Sequence, residues 1–590
     1  LTSLDSIRKL IESNLIVENM TSDWVKQILL NCLEYVHIAE LNSSAIKLIK
    51  VFASSNLVNE YEGRLILNSI EKLHTEKKFN SSNCADIGEI MNKILSFVNI
   101  TDNLDIIISM IIDLITFDNF DDISPSLMKQ LLQQTSDENI STIIHKFGDI
   151  TDLKISKILA VLSVASGNEF SIGTVIENLN NNKDVYFSLV FLNEVSKSID
   201  INIGIDIFLK ELLSNQANIV NISIKILSTI ISKYPAKYLD EFLNKLTQTS
   251  NTSDCLKVLS NVLRIIELNN EQAMRIFNVI VQVQVSNPVK ISNESSYENA
   301  SICFGILIVK YDLLDAALEY LVNNTITNEV LLASIGNSIK YSFNNETFIE
   351  NLSLQKSVKY SELSVEKFIF HKNLFFKQIA VSNFNLVLNK LPNIAISLMS
   401  KIIRGIMESE IKPNKDYIHT QFIGPYKHKI DDGLSYRKQL FESIYYYFKI
   451  LEENRNYLLL GSIKWEMYFN KYFDCGVKDD ESIVSVCLLT TLKLFEQDGQ
   501  FFMKDNGEID TFDGFLSRCR KTINKKIADN AVKQDIEKQN NMIKMIIRFL
   551  KKVNILVENK QLLLNAAQIN DWNSLITETK AKYPIFDQEE

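Results

Sequence analysis

The sequence predicts an all-α fold in which pairs of helices stack into an α-solenoid. Glycine (16) and proline (7) are scarce among 590 residues, which disfavours β-sandwiches, barrels and disordered linkers. Apolar residues recur at helical spacing through most of the chain, as at Trp24, Ile28, Cys32 and Val36. Very apolar segments also return every 32 to 43 residues, followed by more amphipathic partners. A helix pair per ~40–47 residues is typical of HEAT or armadillo repeats, so we expect a HEAT-repeat superhelix.

The first part of the chain, residues 1–343, is predicted to be a regular array of such repeats. Because stacking buries a continuous core, the very apolar helices should be the ones flanked on both sides. Residues that favour helix starts mark the breaks, for example Ser124 before Pro125. Amphipathic helices are predicted at 4–15, 22–38, 43–54, 59–74, 86–98, 103–117, 124–134, 204–214 and 238–247, and very apolar ones at 184–197, 217–232, 254–266, 297–310 and 329–342.

The second part is predicted to be less regular. Residues 344–371 are diluted by Ser, Lys and Glu, which indicates an irregular repeat or a hinge. The C-terminal repeats then occupy 372–590, and residues 497–511 are predicted to be an inserted loop. Helices are predicted at 372–390, 392–408, 432–450, 457–472 and 480–496, followed by a long helical stretch at 512–553 and a short pair at 560–568 and 571–582.

The helical period is interrupted in residues 413–431. From Tyr417 to Ile430 the chain is rich in β-branched and aromatic residues, and Gly424-Pro425 is a turn signal. This pattern predicts a β-hairpin near 415–431 that projects from the array; an ordinary long inter-helix loop is the alternative. Segments that interrupt a rigid scaffold often carry binding residues. The candidate residues are Tyr417, His419, Phe422, Ile423, Gly424, Pro425, Tyr426, Lys427, His428 and Lys429.

The charge of the chain limits its partners. A net charge of −10 argues against nucleic acid, because phosphate recognition needs a basic face. Residues 515–552 are an exception, with eleven Lys/Arg against three Asp/Glu. They form either a solvated helix face or a basic surface for an acidic protein partner. No apolar run approaches the ~18–20 residues that cross a membrane.

The sequence contains no motif for catalysis or for a cofactor. Phosphate-binding glycine loops and the G-x-S-x-G nucleophile motif are absent, and the six histidines are dispersed. No Cys/His cluster has the spacing of a zinc site. His419 and His428 could form a metal-binding or pH-sensitive pair, or be exposed strand residues. We therefore expect a protein that is not an enzyme, with no metal and no cofactor.

Three ordered sequence blocks resemble a known family. The first is Gly424-Pro-Tyr-Lys-His-Lys-Ile-Asp-Asp-Gly-Leu-Ser-Tyr-Arg-Lys438, the second is Gly476-Val-Lys-Asp479 and the third is Asn530-Ala-Val-Lys-Gln-Asp-Ile-Glu-Lys-Gln539. Together they resemble the C-terminal half of the cullin-associated, neddylation-dissociated (Cand) family of cullin exchange factors. Residues 1–370 match that family only in their repeat character.

The resemblance implies a function. Cand proteins are HEAT-repeat solenoids that wrap a cullin–RING scaffold lacking its ubiquitin-like modifier. Their C-terminal half binds the N-terminal end of the cullin, and a hairpin occupies the place where the substrate-receptor adaptor docks. The resemblance therefore implies a cytoplasmic and nuclear chain that binds a cullin and competes with the adaptor. Because the chain starts at Leu1, we expect a trimmed or partial polypeptide, whose N-terminal half could be a separate chain. An importin-β-like transport receptor, a phosphatase scaffold or another HEAT-repeat scaffold are the alternatives.

Asp431, Asp432 and Arg437 have a further interpretation. Carboxylates just before a helix start can cap its unpaired N–H groups. Arg437 lies one turn into the predicted helix, where an Asp–Arg ladder could link stacked repeats. We interpret these three residues as structural rather than partner-contacting.

Overall fold

The computed structural model of the chain describes twelve segments of the 590 residues. They are 2–12, 22–54, 58–117, 120–149, 151–167, 170–286, 294–322, 328–423, 426–453, 463–504, 511–525 and 533–584. The chain divides into two compact units, residues Leu1–Glu267 and residues Leu268–Glu590.

The first unit is entirely helical in its described residues. Its helices are α1 Thr2–Glu12, α2 Ser22–Tyr35, α3 Asn42–Ser54, α4 Glu60–Thr75, α5 Cys84–Ile94, α6 Leu104–Leu114, α7 Ser124–Gln134, α8 Asp137–Phe147, α9 Leu153–Ser166, α10 Phe170–Asn180, α11 Val185–Ser196, α12 Asp206–Glu211, α13 Ala217–Lys233, α14 Pro235–Leu246 and α15 Thr252–Ile265. The odd-numbered helices contact one another in succession, and the even-numbered helices form a second layer against them. Two of the predicted very apolar segments, α11 and α13, are flanked on both sides in the odd-numbered layer, as expected for a HEAT-type stack.

The second unit is also built from two layers of helices. Its elements are α16 Asn270–Ser286, α17 Glu294–Tyr311, α18 Leu314–Val322, α19 Glu329–Asn337, α20 Ile339–Ser342, α21 Glu346–Asn351, α22 Leu354–Ile369, α23 Leu374–Lys390, α24 Pro392–Gly405, β1 Ile418–Ile423, β2 Tyr426–Asp431, α25 Leu434–Glu453, α26 Trp465–Gly476, α27 Glu481–Gln497, α28 Thr511–Ile523, α29 Lys533–Glu558 and α30 Ala566–Lys582. One layer runs through α17, α19, α23, α25, α27 and α29, and the other through α18, α22, α24, α26, α28 and α30.

Polar contacts between neighbouring helix pairs repeat with the same period as the helices. In eight of these contacts the two side chains lie 39 to 42 residues apart in the sequence, so a side chain of one pair reaches the equivalent region of the next. The contacts are His37–Glu76, His74–Asp113, Lys154–Asp113, Lys245–Asp206, Lys356–Asp315, Lys401–Glu362, Arg437–Asp479 and Lys493–Glu452. This spacing agrees with the repeat length predicted from the sequence.

Three segments differ in detail from the sequence-based description. The segment 344–371 contains α21 and α22, and α22 packs closely against α23. Within 497–511, Phe501 and Phe502 form a short 3₁₀ turn and are buried. The predicted terminal pair 560–568 and 571–582 is wrong, because α30 is one helix. Asn565 and Gln568 close a capping box at its start, so the helix begins at Ala566 and not at 571 as predicted. The predicted domain boundaries at 343 and 371 stay predictions.

Candidate functional site

The predicted hairpin is present. Strands β1 and β2 pair in antiparallel register from Ile418↔Asp431 to Ile423↔Tyr426, and in the part of the chain that the structure describes they form a sheet of two strands only. The connecting residues Gly424 and Pro425 lie outside the described residues, as do the side chains of residues 422–429. A two-stranded hairpin is marginal in isolation, so its base has to be held by the helices around it.

The hairpin replaces the turn inside one helix pair. It connects α24, in one layer, to α25, in the other, through a π-helical turn at Ile406–Glu410 and a 3₁₀ turn at Lys415–Tyr417. Tyr417 anchors the first strand, because its hydroxyl donates to the Lys372 carbonyl at 2.9 Å and its carbonyl accepts from the Asp432 amide. Partial burial, together with the charges of Glu410 and Asp416, raises the pKa of Tyr417.

Arg437 ties the end of the hairpin to the next helix pair. Its side chain is 3% exposed, and its guanidinium donates to Asp479 at 2.8 and 2.9 Å. The same group donates to Asp431 at 2.9 and 3.3 Å, and Asp431 also accepts from the Gly433 amide. Burial alone would lower the pKa of Arg437, but the hydrogen bonds and charges of Asp479 and Asp431 outweigh it and raise that pKa. Asp432, by contrast, is exposed and lies 3.3 Å from His419 Nδ1.

The three sequence blocks that carry the family resemblance meet around this network. Arg437 of the first block contacts Asp479 of the second, and Lys538 of the third contacts the adjacent Asp480 at 2.9 Å. Gly476 of the second block lets α26 approach α27, because a Cβ at that position would lie 2.4 Å from Cys487 Sγ. The motifs therefore mark the contacts that stack α25, α27 and α29 behind the hairpin.

Replacing Asp480 by Asn is expected to have a small, pH-dependent effect on stability. The hydrogen bond from Lys538 lowers the pKa of Asp480 below its ordinary value of 3.8, despite the opposing effect of partial burial. A carboxylate with a lowered pKa stabilises the folded state above that ordinary value, and the contribution disappears as the pH falls through the folded-state pKa. Because Asn also caps helices, D480N should keep the contact with the Ser482 amide.

We expect wild type to exceed D480N by about 0.5–1 kcal/mol in free energy of unfolding, as measured in urea. The difference should be constant between about pH 5 and 8 and should decrease below about pH 4. Lys538→Met should reproduce the loss at neutral pH. A difference that grows on acidification would contradict the assignment of the Asp480–Lys538 pair.

A pocket of about 380 Å³ lies at the base of the hairpin. Its inner wall holds a buried ion pair, in which Lys377 Nζ lies 2.6 Å from Glu410 Oε2. The Tyr436 hydroxyl donates to the same oxygen at 3.0 Å, and burial together with the Glu410 charge raises the pKa of Tyr436. Sequence reasoning missed this triad. Its signal was Lys377, a single cation within the apolar segment Leu374–Val381.

The basic segment 515–552 is partly neutralised within the chain. Arg518 pairs with Asp474, Arg520 with Glu578, and Lys538 with Asp480. These pairs link neighbouring helices and reduce the positive charge available to a partner. They favour the interpretation of this segment as a charged helix surface.

The described residues contain neither a cluster of metal-binding side chains nor a helix that could span a membrane. No group of three or more His, Cys, Asp or Glu side chains there is placed to hold a metal ion. Among the helices in the same described segments, none has the length and hydropathy needed to cross a membrane. The side chain of His428 lies outside the described residues, so a pair with His419 stays a prediction.

Comparisons with known proteins agree with the motif-based resemblance. Residues 394–580 match the TIP120 family model, described as TATA-binding protein interacting (TIP20). Cullin-associated NEDD8-dissociated protein 1 of Candida albicans is 22% identical over 419 residues, which are 69% of this chain and 34% of that protein. Cullin-associated NEDD8-dissociated protein 1, C-terminal part, of Emericella nidulans is 27% identical over 162 residues, which are 27% of this chain and 14% of that protein.

The chain thus spans about a third or less of the curated relatives it matches. Among solved structures, Kap121p bound to Pho4p aligns with 99% of this chain and 68% of that chain, at 10% identity and a TM-score of 0.34. The matched family region contains the hairpin, the Arg437 network and every residue that lines the hairpin-base pocket except Lys377. The resemblance predicted from residues 424–539 is therefore confirmed, and this chain is a relative of the Cand family, similar to the C-terminal part of those proteins.

Proposed function

We propose that this chain is the C-terminal half of a non-catalytic cullin exchange factor. It wraps the N-terminal end of a cullin that lacks its ubiquitin-like modifier, and its hairpin competes there with the substrate-receptor adaptor. Exchange of adaptor–receptor modules in cullin–RING ligases follows from that competition. The N-terminal half, on the same or a separate chain, makes the remaining contacts with the cullin–RING scaffold. The complex acts in the cytoplasm and nucleus.

The observation that carries this proposal is the position of the hairpin. It interrupts a helix pair inside the region that matches the TIP120 family, and a buried Arg437 network holds its base. A short two-stranded element contributes little to a solenoid core. A hairpin that is inserted into one helix pair and held by a buried charge network is therefore more consistent with presentation to a partner than with fold stability.

Replacing Phe422, Ile423 and Tyr426 together with Ser should weaken competition with the adaptor at least tenfold. A single hot-spot side chain at the centre of an interface costs about 2 kcal/mol or more when truncated, which is already more than a tenfold change in affinity. The change should leave the helices folded, since the strands pair with each other. The measurement is displacement of a fluorescent adaptor–receptor module from an unmodified cullin–RING scaffold.

A matched control replaces three exposed apolar side chains outside the hairpin with Ser. Ile265, Leu354 and Met467 are 66%, 74% and 62% exposed. This control variant should compete as well as wild type. Loss of helical circular dichroism in the hairpin variant would mean that the segment belongs to the core. Unchanged competition would mean that the hairpin is not the competing element.

The proposed function itself is tested by capture of the cullin–RING scaffold on this chain. Binding should occur when the N-terminal half is supplied, and saturating adaptor–receptor module should displace it. Failure to capture the scaffold with both halves present would refute the proposal and leave a helical scaffold of another function.

A further inference from the structure

We propose that the hairpin-base pocket binds an Asp or Glu side chain of the protein partner that the hairpin engages. This inference rests on the proposed function. It adds an electrostatic contact at the pocket to the contacts that the hairpin makes with the partner. The pocket is lined by the π-helical turn, the 3₁₀ turn before β1 and the first turn of α25, so it opens where the hairpin leaves the solenoid.

The lining of the pocket is cationic. Lys377, Lys412, Lys415 and Arg437 line it together with one carboxylate, that of Glu410. Lys412 and Lys415 are exposed, and no carboxylate of the described residues forms an ion pair with either ammonium. The pocket therefore has two unpaired positive charges at its mouth, which favour an anion.

The inner charges are already paired, which limits the anion to the mouth of the pocket. Glu410 receives hydrogen bonds from Lys377, Tyr436 and the Ser409 hydroxyl, the last at 2.9 Å. Arg437 directs its guanidinium to Asp431 and Asp479. The two exposed lysines are thus the groups left to compensate a partner's charge.

This arrangement suits a carboxylate better than a phosphate. Phosphate recognition commonly uses the fork of an arginine, and both edges of the Arg437 guanidinium are occupied. A phosphate dianion would also meet the Glu410 charge on the inner wall. A singly charged carboxylate would meet less repulsion from Glu410 than a phosphate dianion, and lysine ammonium groups pair with it as point charges.

The backbone gives independent support for a binding site. Ser409 and Glu410 belong to the π-helical turn Ile406–Glu410. Such turns are rare and are frequently found at functional sites, because they displace one residue from the regular helical register. Here the displaced turn places Glu410 against Lys377, which forms the inner wall of the pocket.

The experiment compares wild type with Lys412→Glu/Lys415→Glu in binding to an unmodified cullin–RING scaffold. The control, Lys340→Glu/Lys359→Glu, makes the same charge change at two exposed lysines that do not line the pocket. We expect the pocket variant to bind at least tenfold more weakly and the control to stay within twofold of wild type. The deficit should shrink at high salt, because salt screens exposed charges.

A zero-length carbodiimide cross-linker identifies the occupant, because it joins a lysine amine directly to a carboxylate. Mass spectrometry of the wild-type complex should show Lys412 or Lys415 linked to a partner Asp or Glu. Normal binding by the pocket variant, or absence of such a link, would overturn the pocket proposal while the proposed function stands. Loss of binding that phosphatase treatment of the partner reproduces would assign the pocket to a phosphate and also overturn it. Wild-type chain that binds no scaffold would refute both proposals.

Discussion

Arg437→Met should lower the free energy of unfolding by about 3–5 kcal/mol, because it leaves one buried and one partly buried carboxylate without their counter-charge. Asp479 is only 6% exposed, and Asp431 22%. Both lose the guanidinium that now holds them at hydrogen-bonding distance. Since Met has a similar length and no charge, the substitution tests the electrostatic contacts more than the packing.

The loss of stability in Arg437→Met should be localised around the base of the hairpin. Hydrogen exchange, measured by mass spectrometry, should increase in β1, in β2 and in the first turns of α25 and α27, while exchange in residues 2–267 stays unchanged. Stability in stacked repeats depends on contacts between neighbours, so a broken contact between α25 and α27 opens that region first. Urea unfolding followed by far-ultraviolet circular dichroism gives the magnitude.

Two control variants separate the buried network from a general loss of charge. Arg404→Met removes an arginine that is 77% exposed and paired with Glu408, so its effect should stay below about 0.5 kcal/mol. Adding Asp431→Asn and Asp479→Asn to Arg437→Met should recover part of the lost stability, because no unpaired buried charge is left. Equal stability of the triple and single variants would contradict the electrostatic explanation.

The sequence predicted the repeat architecture and the hairpin because both depend on local patterns. Helical periodicity and the recurrence of apolar segments report burial on one helix face, which is what stacked pairs require. The change of period from Tyr417 to Ile430, with Gly424-Pro425 between, likewise identified the two strands. The start of α30 was predicted wrongly, because the reciprocal capping box of Asn565 and Gln568 was not used in the sequence-based assignment.

The contacts that build the site were less accessible, because they join residues far apart in sequence. Arg437 was predicted to form a ladder, but its partner Asp479 lies 42 residues away. Lys377 and Glu410 are separated by 33 residues and come from different helix pairs. Periodicity gives the face on which such a residue lies, but not the residue it meets across the stack. The pocket that Lys377 and Glu410 line could therefore be found only from the structure.

Phe515→Ala should lower the free energy of unfolding by about 3–5 kcal/mol, the usual cost of removing a buried ring. Phe515 is completely buried, and its ring lies 5.0 Å from that of Phe473 and 5.4 Å from that of Phe502. It also stacks on Trp572 of α30 at 6.3 Å and an interplanar angle of 11°. Because α26, α28, α30 and the 501–503 turn all meet at this ring, the cavity left by Ala cannot be filled by a single neighbouring side chain.

The same substitution tests whether residues 497–511 are part of the core. Phe502 contacts Phe512 and Phe515, so a segment predicted as an insertion contributes a buried ring to the cluster. If that ring is structural, Phe502→Ala should also lower the free energy of unfolding by about 3–5 kcal/mol.

Tyr446→Ala is the control. The side chain of Tyr446 is 46% exposed, so this substitution should lower the free energy of unfolding by less than about 1 kcal/mol. Urea unfolding followed by tryptophan emission measures all three variants, and Trp572 makes the signal sensitive to this cluster. A Phe502 variant as stable as the Tyr446 variant would mean that the insertion can leave the core without cost. The aromatic cluster would then be completed by the helices alone.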